Sequence, residues 1–365
     1  MEITRTHSSI EHIDLDQVAR SPLQLAPIAV PRVWGGDRLR RELHADLETP
    51  DASTPIGETW EVSDVGEGGE YHSVVRSGPA QGWSLRDLIR VAPEGFLGSD
   101  WREHVDDPEQ GPTLPLLYKF IDARQNLSVQ VHPSDELLQE LGTPGRGKTE
   151  AWVIIDAAEG AEIIYGLDPE MTQEEFLERA STRHGVEGLR HVPVSRGDVI
   201  YLPAGTIHAI GAGILLAEIQ QSSDITYRIY DWGRVGLDGQ PRQLHLKEAS
   251  RVAPPAFLPP CPVPAPEGAQ AGLRRRIDGH HFILDELHLE AGTAVELPSE
   301  ASTPRFGILS VLAGSLDWSL EEAPDLSLEK GDTVFVPAEC PRPTLSSRDG
   351  AWALWMCPAE PGSSA

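Results

Sequence analysis

Residues 196–208 read RGDVIYLPAGTIH, and residues 330–342 read KGDTVFVPAECPR. The stretches match at Gly197 and Gly331, Asp198 and Asp332, Pro203 and Pro337, and Ala204 and Ala338. Each reads as a Gly-Asp turn, a short β-strand, and a proline-led turn that stops it. One supersecondary unit therefore occurs twice, which points to a repeated architecture. The copies are not equivalent. His208 ends the first, and Arg342 stands at the same place in the second.

Around the repeat, short β-branched runs recur between turn signals: LPLLYKFI, LSVQVH, AWVIID, DVIYLP, GILLAEI and ITYRIYDW. Glycine (34) and proline (31) are frequent enough to cut the chain into many short strands, so the expected class is mainly β, a sandwich or barrel. Helical spacing is local, at Ser84–Val91 and at Thr172–Arg183, the second opening on a Thr172/Glu175 capping box. Seven prolines within 253–268 (APPAFLPPCPVPAPEG) preclude regular pairing and mark a stiff linker. Four parts follow: a loose polar extension at 1–20, a first domain at 21–252, the linker at 253–268, and a second domain at 269–365.

A chain of 365 residues exceeds what one core usually holds. No apolar run reaches the length of a membrane span, and MEITRTHSSIEHIDLDQ lacks the basic start and apolar stretch of a secretory signal. Three cysteines, Cys261, Cys340 and Cys357, form neither a metal-type CxxC nor an even disulfide set, so a reducing, cytoplasmic setting is expected. The net charge of −27 disfavours nucleic acid and anionic membranes as partners. An anionic substrate would need a local basic pocket against that field.

Candidate chemistry comes from strand alternation. In residues 127–132, Leu127, Val129 and Val131 share an apolar face, which puts Ser128, Gln130 and His132 together on the other. By the same rule Lys148, Glu150 and Trp152 share a face, Glu218 lies with Gln220, and Thr226, Arg228 and Tyr230 are expected on one side. Taken singly, these are ordinary surface residues, and His208 alone reads as a loop histidine. Together, two imidazoles, one carboxylate and one amide oxygen suit a divalent metal with a position left for water or substrate. A buried Arg228 demands an anion, either a substrate or a structural partner such as Glu218 or Asp224. For Trp34 and Trp60, core packing is the expectation. The second repeat offers no counterpart to Gln130, His132 or Glu150, so it reads as degenerate and structural.

PLLYKFIDARQNLSVQVHPSDE, GKTEAW, GDVIYLPAGTIHAIG and EIQQSSDITYRIYDWGR resemble the type I phosphomannose isomerase family in its short bacterial form. PRVWGGDRL (31–39) and IGETWEVSD (56–64) are similar to its N-terminal blocks. The resemblance implies two cupin-type (jelly-roll) β-barrels with a small helical insertion, only the first carrying a mononuclear zinc. It implies Gln130, His132, Glu150 and His208 as zinc ligands, Arg228, Glu218 and Lys148 as catalytic residues, and Lys119, Ser128 and Asp224 as substrate contacts. The implied reaction is interconversion of mannose 6-phosphate and fructose 6-phosphate through a cis-enediol, with a small sugar phosphate as partner and a monomer or homodimer as assembly. The general base stays open among Glu218, Lys148 and a metal-bound water. Three other readings compete: an Fe(II) dioxygenase of the same fold, an isomerase of another phosphorylated aldose, and a non-catalytic sugar- or metal-binding cupin.

Overall fold

Both Gly-Asp turns form as read. Gly197 and Gly331 adopt φ of 85° and 94°, which glycine reaches without steric cost. In each turn the aspartate side chain accepts a backbone N–H three residues earlier: Ser195 N to Asp198 Oδ2 at 2.7 Å, and Glu329 N to Asp332 Oδ2 at 2.9 Å. The repeat is thus a repeat of hydrogen bonds as well as of letters.

The computed structural model describes residues 13–359 apart from 50, 52, 67, 106–110, 181–185, 253, 256–257, 266–270, 298–303 and 321–322. Its first half is built from β1 (Leu23–Gln24), β2 (Ile28–Gly36), β3 (Ile56–Val62), β4 (Asp64–Val65), β5 (Tyr71–His72), β6 (Leu116–Ala123) and β7 (Val129–Val131). It continues with β8 (Glu150–Ala157), β9 (Glu162–Leu167), β10 (Leu189–Pro193), β11 (Val199–Leu202), β12 (His208–Ile210), β13 (Ile214–Gln221) and β14 (Tyr227–Tyr230). A six-stranded sheet runs β11-β8-β13-β6-β3-β2 and a five-stranded sheet runs β10-β9-β12-β7-β14. From β6 onward the chain passes back and forth between these sheets, the jelly-roll habit of closing a sandwich on itself. The fold is mainly β, as expected. The second half adds β15 (Gly272–Asp278), β16 (Phe282–Leu289), β17 (Thr293–Glu296), β18 (Gly307–Leu320), β19 (Ala323–Glu329), β20 (Thr333–Val336), β21 (Thr344–Ser347) and β22 (Ala351–Pro358). These join β1 in a nine-stranded sheet, with β1 paired to β20 through Leu23 and Phe335.

Helices are short. Ser84 caps Leu85–Val91, its side chain accepting from Asp87 N. The Thr172/Glu175 box forms reciprocally, with Glu175 N on Thr172 Oγ1 at 3.2 Å and Thr172 N on Glu175 Oε2 at 3.0 Å. The helix it opens, Gln173–Ala180, is the small insertion between Glu150 and Gly197.

The six-stranded sheet is buried on both faces, and this positions the site. On one face Tyr118, Phe120, Val153, Ala217 and Ile219 pack with Phe282, Ile308, Phe335 and Met356 of the second half in one apolar cluster. The other face looks toward the five-stranded sheet. There Ile121, Trp152, Ile154 and Leu216 pack with Ile163, Tyr165 and Ile210 around one end, leaving a cavity beside them. Burial of this kind contributes roughly 25 cal/mol for each Å² of apolar surface removed from water.

Three expectations are corrected or sharpened. Residues 1–12 lie outside the described residues, but 13–20 are no loose tail. Asp14 caps a helix at Leu15–Ala19, and Val18 and Ala19 are buried in the central cluster. The linker is held down where Val199 and Val263 exchange two backbone hydrogen bonds of 2.9 Å, and Tyr165 and Arg276 donate to its carbonyls at Pro259, Val263 and Pro264. Tyr230 does not share a face with Arg228. A bulge between them sets Tyr230 opposite Val129 while Arg228 stays opposite Gln130, so Tyr230 joins the apolar cluster of Val129 and Ile229.

Candidate metal centre

Register brings the site together. In the five-stranded sheet Gln130 stands directly across from His208 on β12 and from Arg228 on β14. In the facing sheet, Trp60, Lys119, Glu218 and Trp152 form one cross-strand row. Glu150 pairs with Gln220 two residues along. Directly opposed residues point to the same side of a sheet. The two rows therefore face each other across a cavity of about 590 Å³ lined by Ser128, Gln130, Lys148, His208, Glu218 and Arg228, among others.

At its floor one atom each from His132, Glu150 and His208 can be chosen so that all lie within 4.8 Å of one another. His208 Nε2 is 3.2 Å from Glu150 Oε1, and His132 Nε2 is 3.5 Å from Glu150 Oε2. The opposite ring nitrogens are spoken for. His132 Nδ1 donates to Ile225 O and His208 Nδ1 to Thr206 O, each at 2.8 Å. With the proton held on Nδ1, both Nε2 lone pairs aim at the carboxylate, the arrangement that outer carbonyls impose on metal-binding imidazoles. Burial lowers the pKa of both rings below 6.5, well below for His132, which keeps them neutral and able to ligate.

The donor set fits a cation on a second count. Glu150 is ionised: burial opposes the charge, but Lys148, then His208 and His132, pull its pKa far below 4.5. Lys148 Nζ lies 2.9 Å from Oε2, yet neither oxygen has a donor in hydrogen-bonding geometry among the described residues. A buried carboxylate with open lone pairs beside two imidazole lone pairs is what a divalent ion satisfies. Gln130 completes the set. Its Nε2 stands 3.2 Å from His208 Nε2 and 3.4 Å from His132 Nε2, and turning the amide over puts Oε1 at that point. Ser128 Oγ, 3.2 Å from Gln130 Oε1, lies next to the amide.

Above the donors runs a chain of alternating charges. Lys119 Nζ is 2.9 Å from Glu218 Oε1, and Lys148 Nζ is 3.8 Å from the same oxygen. Trp152 Nε1 donates to Glu218 Oε2 at 2.7 Å. Glu218 thus has both oxygens facing donors or cations. Burial tends to deprotonate Lys119, but Glu218 and then Glu58 outweigh it and raise its pKa above 10.5.

Arg228 pairs with neither Glu218 nor Asp224. Its Nη1 donates to Gln243 O at 3.0 Å, and its Nε is buried without a hydrogen-bond partner. Asp224 lies exposed at the cavity wall. Trp34 and Trp60 pack in apolar clusters as expected but also line the cavity. Four further charged lining residues escape strand-by-strand reading: Arg32, Glu58, Asp238 and Arg242. Arg32 forks onto Glu58 at 3.1 and 3.4 Å, and Trp60 Nε1 holds the same carboxylate at 2.6 Å. Burial opposes that charge, but Arg32, Lys119 and the Trp60 N–H together outweigh it and bring Glu58 to about 2. The signal for Arg32 and Glu58 lay inside the N-terminal blocks PRVWGG and GETWEV. Arg242 sits on a loop with no periodic pattern to betray it.

A jelly-roll cavity with two neutral imidazoles, an ionised carboxylate and an amide at its floor, and cations around its wall, defines a metalloenzyme site of the cupin type for an anionic substrate. The family model for phosphomannose isomerase type I, catalytic domain, matches residues 23–152. Mannose-6-phosphate isomerase of Streptococcus mutans is 40% identical over 327 residues, covering 87% of this chain and 92% of that protein. Mannose-6-phosphate isomerase ManA of Bacillus subtilis is 40% identical over 238 residues, 65% of this chain and 70% of that one. The crystal structure of a mannose 6-phosphate isomerase from Bacillus subtilis superposes with a TM-score of 0.71 at 30% identity, covering 92% of this chain and 99% of the other. The chain belongs to the type I phosphomannose isomerase family.

Proposed function

We propose that the chain interconverts mannose 6-phosphate and fructose 6-phosphate, with Gln130, His132, Glu150 and His208 holding one zinc ion. The observation that carries the reading is the convergence of two Nε2 lone pairs on an ionised, buried Glu150, both rings being oriented by backbone carbonyls. Zinc bound there would supply Lewis-acid stabilisation of the negative charge that develops on substrate oxygen. Two imidazoles with a single carboxylate and a neutral amide leave the ion a net positive charge, which suits that task.

The remaining roles fall to the protein. Arg228, opposite Gln130 and free of any carboxylate partner among the described residues, stands where it can meet enediolate charge. Lys148 Nζ stands between Glu150 and Glu218, 3.3 Å from His132 Nε2, and is the candidate for moving a proton to or from the substrate. Glu218, ion-paired with Lys119 through Oε1 and hydrogen-bonded to Trp152 through Oε2, is better placed to hold the two lysines than to abstract a proton. Ser128 and Lys119 line the same cavity from its two facing sheets and can bind sugar hydroxyls, with Asp224 at the rim. Cys261, Cys340 and Cys357 form no disulfide among the described residues, which suits a cytoplasmic setting. The test is direct. Purified protein incubated with mannose 6-phosphate should yield fructose 6-phosphate, lose that activity to a chelator, and contain one zinc per chain by elemental analysis. No product at full zinc content would overturn the assignment.

A further inference from the structure

The segment after β14 folds back over the cavity mouth, where Val235 bridges Pro241 and Gly236 N donates to Gln240 O at 2.7 Å. It contributes Gly236, Leu237, Asp238 and Arg242 to the wall. At its base the buried Asp231 serves two guanidinium groups. Oδ1 accepts Arg234 Nε at 3.0 Å and Nη2 at 2.7 Å, and also Arg242 Nη2 at 2.5 Å, while Oδ2 accepts Arg242 Nε at 2.7 Å. Arg242 therefore spends the Nε and Nη2 edge of its fork on Asp231, and its Nη1 makes no hydrogen bond among the described residues.

Charge matching separates this corner from the rest of the cavity. Arg32 is matched by Glu58, Lys119 by Glu218 and Lys148 by Glu150. Arg234 and Arg242 share one carboxylate, Asp231, and Arg228 beside them has no salt bridge among the described residues. Asp224 and Asp238 also reach the wall, but both are exposed and solvated. The repulsion registers on Arg228, whose pKa burial and then Arg242 hold down to about 10. One carboxylate cannot neutralise both guanidinium groups that it holds, so this corner keeps a local surplus of positive charge that an incoming anion would match.

We propose that Arg242, presented by Asp231 with Arg228 beside it, anchors the phosphate group of the substrate. This rests on the isomerase reading above and adds to it. It places phosphate recognition on a loop that strand patterning does not mark, rather than on Lys119 or Lys148, whose charges are already matched by Glu218 and Glu150. It also explains how a strongly acidic chain admits a dianion, since surplus positive charge lies at the entrance to the cavity. Arg242 is a specificity-determining residue on this view, with no part at the reacting carbons.

The test compares the parent chain with Arg242→Met and Arg242→Lys, each at equal zinc content. Inorganic phosphate is the probe, by calorimetry and as a competitive inhibitor. Loss of a charge-assisted contact of this kind should raise both the phosphate Kd and the KM for mannose 6-phosphate by roughly 10- to 100-fold in Arg242→Met, with a far smaller change in kcat. Arg242→Lys keeps the charge but cannot fork between Asp231 and phosphate, and should recover only part of the loss. Both constants remaining within about twofold of the parent, in whichever variants fold, would overturn the proposal. Failure of the isomerase reading looks different: no turnover by the parent, while phosphate binding still depends on Arg242.

Discussion

Replacing Glu218 with glutamine tests the charge network directly. The substitution keeps size and shape, lets an amide oxygen accept the Trp152 N–H, and removes the carboxylate facing Lys119 at 2.9 Å and Lys148 at 3.8 Å. At that shorter distance an ion pair is worth roughly 6 kcal/mol with an effective dielectric of about 20. Stranding one buried partner costs about 3–5 kcal/mol once relaxation is included. Urea unfolding at fixed zinc should show a stability loss in that range. The pH dependence carries the sharper sign. In the parent, burial pulls the Lys119 pKa down, but Glu218 and Glu58 lift it above 10.5. Its contribution is therefore intact below the unfolded value and fades only as pH climbs through the folded one. Without Glu218 the largest lifting influence is gone and burial prevails, so the ammonium becomes a liability that deprotonation relieves. Stability of the variant should rise with pH between roughly 8 and 10, where the Lys119 contribution of the parent is flat. A loss under about 1 kcal/mol with no such slope would refute the network as drawn.

Trp152→Phe keeps the ring edge near His208 but loses the 2.7 Å N–H to Glu218, at a cost of about 1.5–3 kcal/mol. Zinc content should be unchanged while kcat falls about tenfold, as measured by metal analysis alongside initial rates. Arg276→Ala removes a guanidinium that is bound to Glu286 and also donates to Val263 O and Pro264 O at 3.1 Å and to Gly197 O at 3.4 Å. A loss of about 3–5 kcal/mol is expected in denaturant titration, with faster proteolysis around the proline-rich segment. Gly307→Ala would place a methyl group 1.9 Å from the Trp355 ring, so a lower melting temperature is expected with unaltered KM.

How much of this was legible beforehand differs between fold and site. The strand-rich class, the repeat and the capped helices were readable because they depend on neighbours in sequence: Gly197 with Asp198, Thr172 with Glu175. Alternation also grouped Gln130 with Ser128 and His132, since β7 is regular across those positions. It failed at Tyr230, because one bulge after Arg228 reverses the facing of every later residue and no local signal marks it. The pairing of Lys119 with Glu218 was not foreseeable either. It follows from the register between β6 and β13, which the intervening fold sets. Arg242 was invisible for a related reason. Its role depends on Asp231 folding the loop back, and loop residues obey no period.

The six-stranded sheet ties the second half of the chain to the first. Chemistry and cohesion are divided between the two faces of the same strands. Residues one apart on β6 alternate between the reaction chamber (Lys119) and the shared apolar interior (Tyr118 and Phe120). The shape of the cavity in the first half therefore depends on the bulk of the second. The two halves should melt together. A fragment ending at the proline-rich segment would turn Phe120, Ala217 and Ile219 outward, trading a catalyst for an aggregating sheet.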